Sequence, residues 1–83
     1  MSASAASLTE RLGLIEALRE WLSLRNEPRT MLAVTMARKL GLRELKADIE
    51  ALRKEVSEGR VFPRFYLREI DATLEALNQE TGQ

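Results

Sequence analysis

The 83-residue chain contains no cysteine and no histidine. The first absence excludes disulfides, thiolate nucleophiles and zinc–thiolate sites, and the second excludes imidazole acid–base chemistry and imidazole metal ligation. Aromatic residues are scarce, with one Trp, one Tyr and two Phe. Helix breakers are few, with four Gly and two Pro. There is no excess of either charge, since thirteen Lys and Arg balance thirteen Asp and Glu. A net charge of zero excludes a polybasic coat for nucleic acid or membranes and leaves room only for a local patch. No apolar run approaches the roughly 20 residues that span a bilayer. Residues 1–7 lack the basic segment and apolar core of a signal peptide and read as a flexible leader. Cysteine-free composition is compatible with the cytoplasm, which is the expected location.

What remains is a soluble, globular balance of 45% apolar and 31% charged residues. That length supports one small domain, expected over 8–79, with 80–83 as a fraying tail. Helical periodicity runs through nearly all of it. Ser7 and Glu10 have capping-box spacing, and Leu8, Leu12, Ile15, Leu18 and Leu22 then recur every three or four residues. Leu14, Ala17, Trp21 and Leu24 widen this face. Asn26-Glu27-Pro28 closes the first helix and opens a second, expected over 28–40 and stopped by Gly41. Its stretch 30–37 carries no charge, so it is expected to be the most buried element and to need a homodimer or a larger solenoid to cover it fully. A third helix is expected over 43–57, with Leu45, Ile49, Leu52 and Val56 on one stripe, ending at Gly59. A fourth begins at Pro63 and carries Leu67, Ile70, Leu74 and Leu77. No segment reads as a strand. The fold class is therefore all-α: four antiparallel helices arranged as two helix-turn-helix hairpins.

The two hairpins share sequence. Ile15-Glu16-Ala17-Leu18-Arg19 returns letter for letter as Ile49-Glu50-Ala51-Leu52-Arg53, 34 residues later. Glu10 and Glu44, and Ser23 and Ser57, match at the same offset. Pro28-Arg29 returns as Pro63-Arg64 after 35 residues, an offset that also aligns Leu32 with Leu67, Ala37 with Ala72 and Leu42 with Leu77. Units of 8–42 and 43–78 follow. An amphipathic helix leading into a proline turn and an alanine-bearing second helix (Pro28, Ala33 and Ala37, then Pro63 and Ala72) resembles the HEAT-type α-helical repeat. The resemblance implies stacked helical hairpins. Arg29 follows Pro28 earlier than the family's basic residue does, and two units are fewer than the three or so a solenoid needs. The pair can instead close as a four-helix bundle. Tetratricopeptide repeats, with proline at the end of the second helix, fit less well.

Antiparallel hairpins bring every aromatic residue to one pole: Trp21, Phe62, Phe65 and Tyr66, together with Arg25, Arg29, Arg60, Arg64 and Arg68. Stretch 59–68 carries three arginines and no acid. Planar cations and rigid rings are enriched at binding hot spots. Phe62 and Phe65 are expected to plug the pole. Trp21, Arg25, Arg29, Arg64, Tyr66 and Arg68 are the candidate partner-binding residues. The expected function is non-enzymatic: a protein-interaction or adaptor module that needs no cofactor and no metal, binds a protein partner and does not bind membranes.

The alternative is a helix-turn-helix regulator of DNA. Met36-Ala37-Arg38-Lys39-Leu40-Gly41-Leu42 before a periodic helix resembles the centre of that motif. The turn is too short, however, and the would-be recognition helix shows Glu44, Asp48 and Glu50, which repel phosphate. Nucleic acid is accordingly disfavoured as a partner. Paired carboxylates four apart, Glu16 with Glu20 and Asp71 with Glu75, read as solvated surface, because no nucleophile, phosphate loop or metal motif accompanies them.

Overall fold

The computed structural model describes the backbone of residues 2–82 and the side chains of residues 9–78. Among the described residues four helices occur: α1 (Ser2–Leu24), α2 (Glu27–Leu40), α3 (Lys46–Ser57) and α4 (Tyr66–Gly82), with a 3-10 turn over Arg43–Leu45 ahead of α3. No strand occurs among the described residues. The backbone of α1 is already helical at Ser2, so Ser7 lies inside the helix and does not cap it. Three alanines in the first six residues favour that extension, alanine being the strongest helix former. The side chains of the expected leader and tail lie outside the described residues.

The helix ends follow from local chemistry. Asn26 caps α2, its side-chain oxygen accepting from the Arg29 amide at 3.2 Å, with Glu27 and Pro28 in the first turn. Gly41, at φ 64°, ends α2, and the Leu42 amide reaches back to the Ala37 carbonyl at 2.9 Å. The same closure ends α3: Gly59 has φ 76° and the Arg60 amide donates to the Glu55 carbonyl at 2.9 Å. α4 starts at Tyr66, three residues later than expected. Phe62 takes a left-handed φ of 57°, and Pro63 opens a turn in which its carbonyl accepts from the Tyr66 amide at 3.2 Å.

One core joins all the elements: Ile15, Leu18 and Leu22 of α1, Ala33, Val34 and Ala37 of α2, Leu42 and Leu45, Ile49, Leu52 and Val56 of α3, and Ile70 and Leu77 of α4. α1 packs on α2 and on α3, and α4 packs on α2 and on α3. The first helices of the two hairpins thus lie side by side, as do the second helices, which is consistent with a helical hairpin repeat. The seam between α1 and α3 is laced by Arg11 to Glu44 and Arg19 to Asp48, each with a contact at 3.0 Å, and by Arg25 to Glu55 at 2.9 Å.

At offset 34 the structural roles match. Ile15 and Ile49, Leu18 and Leu52, and Leu22 and Val56 are all buried. Ser23 and Ser57 each donate to the carbonyl three residues before. Arg25 (φ 55°) and Gly59 (φ 76°) are the left-handed residues that stop α1 and α3. The second helices do not keep offset 35. Core positions Val34 and Ala37 correspond to Ile70 and Thr73, an offset of 36, because the longer turn before α4 shifts its register. The uncharged stretch 30–37 is largely covered within the chain itself. Thr30, Ala33, Val34 and Ala37 are buried, and Leu32 is the residue left most open.

Candidate functional site

The turn from α1 to α2 and the turn from α3 to α4 meet at one pole. Two cross-links tie them. Arg25 donates Nε and Nη2 to the two carboxylate oxygens of Glu55 at 2.9 and 3.1 Å. The Tyr66 hydroxyl donates to the Glu27 carboxylate. Trp21 joins through its carbonyl, which accepts from the buried Thr30 hydroxyl at 2.8 Å, and the Arg29 guanidinium lies 6.0 Å from its ring centroid. The aromatic and arginine residues expected at one pole are there.

They do different jobs. Trp21 is half-buried against the core. Arg25 is partly buried and spends its donors on Glu55 and on the Leu22 carbonyl. Tyr66 is half-buried against the core, and its bond to Glu27 raises its hydroxyl pKa above the usual 10.0. These three hold the pole together. Arg29, Arg64 and Arg68 are exposed. Arg64 donates one Nη2 hydrogen bond to the Ser57 carbonyl at 2.7 Å, which steadies its stem over the turn. Arg68 has no ion-pair partner among the described residues.

The two phenylalanines separate. Phe62 is half-buried and meets Tyr66 edge to face at 6.1 Å, as a plug would. Phe65 does not plug the pole. It is 71% exposed, standing beside Tyr66 at a centroid distance of 4.6 Å. Its displacement follows from the turn over 63–65, which places Phe65 ahead of the first core-facing residue of α4. Arg64, Phe65 and Arg68 line an open hollow of about 510 Å³. Sequence reasoning assigns Phe65 to the plug rather than to the partner-binding residues, because a phenylalanine in the turn ahead of α4 carries no periodic signal of its orientation.

The hollow can receive an anionic group with an apolar neighbour. Both arginines stand at the start of α4, where the helix dipole already favours negative charge. No cluster of three acidic residues able to hold a metal ion occurs among the described residues. Among them, too, no helix is long and apolar enough to cross a membrane. Of the acids expected to repel phosphate, Glu44 in the 3-10 turn and Asp48 in α3 are engaged by Arg11 and Arg19, while Glu50 in α3 is exposed and has no ion-pair partner among the described residues. No family model matches the chain, and neither does any curated protein or solved structure.

Proposed function

We propose that this chain is a non-enzymatic interaction module, two HEAT-like hairpins that bind an acidic segment of a protein partner at the pole. The observation that carries this reading is Phe65, a large ring left 71% exposed between Arg64 and Arg68 at a point where the neighbouring cation Arg25 is already paired. An exposed ring between two arginines gains from desolvation by an apolar side chain while the guanidinium groups pair with carboxylates. No cofactor enters this mechanism. Arg64 and Arg68 supply charge and Phe65 the apolar contact, while Arg29 stands beside Trp21 at the edge of the pole. Trp21, Arg25 and Tyr66 set the shape of the pole. A second copy of the chain is a further proposed partner, on a different face.

The test uses a fluorescently labelled peptide rich in Glu with one central Leu. Arg64→Glu combined with Arg68→Glu should weaken its binding at least tenfold, and Phe65→Ser several-fold, with far-UV circular dichroism unchanged. Equal affinity for all variants overturns the reading. Duplex DNA serves as the comparison ligand. Tight binding whose logarithm falls steeply with the logarithm of salt concentration would transfer the function to a nucleic-acid regulator.

A further inference from the structure

The two outer ends of the stack differ. On the α3–α4 hairpin, the outward surface carries Glu50, Lys54, Asp71, Glu75 and Asn78, all exposed, and Arg53 binds Asp71 across the helices. On the α1–α2 hairpin, helical spacing aligns Leu14, Ala17, Trp21 and Leu24 beside Leu32, Met36 and Leu40. The two rows are neighbours. Arg29 lies over Trp21 at one end, and Leu14 and Leu40 line a common groove of about 250 Å³ at the other. Leu24, Leu32 and Leu40 are 54%, 47% and 49% exposed. Repeat stacks keep their outer ends polar, and here one end is polar and the other is not.

Charge along the rim identifies what covers it. The α1 row is flanked by acids, Glu10 and Glu20, and the α2 row by cations, Arg29 and Lys39. None of these four has an ion-pair partner among the described residues, whereas the seam to α3 pairs Arg11, Arg19 and Arg25. An acidic row beside a basic row is complementary to itself after a two-fold rotation about an axis parallel to the helices. That rotation lays α1 on the α2 of the copy, at the same level along the hairpin. Glu10 then faces Lys39 and Glu20 faces Arg29 of the second chain, with Ala17 opposite Leu32 between them. The other in-plane axis lays α1 on α1 and opposes acid to acid. We infer that the α1–α2 face is a homodimer interface in which each α1 packs on the α2 of the second copy. With α2 about 21 Å long, the two rows offer an interface at the small end of the specific range, consistent with a dissociation constant on the order of 10 μM.

Sedimentation equilibrium of the full chain between 2 and 500 μM tests the dimer, with circular dichroism as the control for folding. The wild type should pass from monomer to dimer. Leu32→Arg should be monomeric throughout, and Glu10→Lys and Lys39→Glu should each weaken association about tenfold. Glu10→Lys with Lys39→Glu in one chain should restore it. A wild type that stays monomeric at 500 μM overturns the inference, as does a double variant no better than the single ones. Orientation is read by disulfide formation in a chain that has no cysteine of its own. A mixture of Ala17→Cys and Leu32→Cys chains should cross-link to the mixed dimer, and cross-linking of Ala17→Cys alone at an equal rate would overturn the α1-on-α2 arrangement. Arg64 and Phe65 take no part, so failure here leaves the acidic-peptide experiment standing, and the reverse.

Discussion

Glu55 receives both arms of the Arg25 guanidinium, and these hydrogen bonds hold its carboxyl below the usual value near 4.5. In the unfolded chain the group takes up its proton first as the pH falls, so this contribution to stability is present above about pH 4.5 and is lost as the pH drops through the lowered folded value. Glu44, held down chiefly by its hydrogen bond from Arg11, acts in the same direction. Urea unfolding should therefore find Glu55→Gln less stable than wild type at pH 7, with the gap closing by pH 3. A constant gap would show that the carboxylate charge is not what Arg25 recognises. The other residues at the pole show how far single positions could be read in advance. Their meeting place followed from hairpin topology and the positions of the two prolines. Their roles did not, because whether an arginine is spent inside the molecule depends on an acid about thirty residues away, as with Arg25 and Glu55.

Helices were the most legible elements, since apolar spacing and the stops at Gly41 and Gly59 are local signals. Their starts were less so. Ser7 has the right partner in Glu10 for a cap, yet the alanine-rich segment before it carries the helix on to Ser2. Pro63 suggested the first turn of α4, but the left-handed Phe62 spends three residues on a separate turn, and this moved the core register of the second repeat by one residue. The repeat itself supplies a test at the helix ends. Gly59 stops α3 at φ 76°, and a Cβ placed there meets nothing within 4 Å. The cost of Gly59→Ala is thus backbone strain alone, about 1 kcal/mol, read as a lower urea midpoint with an unchanged slope. The equivalent position in α1 is Arg25, which tolerates the same backbone region at φ 55° while its side chain bridges to Glu55.

At the scale of the molecule, 83 residues close one shared core and leave one hairpin face apolar. The proposed association through that face would link stability to concentration. The thermal midpoint of the wild type should climb between 10 μM and 1 mM, whereas that of Leu32→Arg should stay flat over the same range. A flat wild-type midpoint would separate the exposed leucines from any role in assembly. The uncharged stretch 30–37 suggested self-association from the sequence, but half of it is buried and only Leu32 is exposed, with α1 and α4 packed against α2. The surface proposed to meet a second chain is instead divided between two helices, and no window of consecutive residues could display it.

The charged outer surface of α3 and α4, crossed by the Arg53–Asp71 pair, sets a limit on growth. A stack with two greasy ends would add subunits without stopping and build a filament. In the proposed dimer the single apolar end is consumed when two chains meet, and what each presents outward afterwards is water-loving, so propagation would halt at a pair.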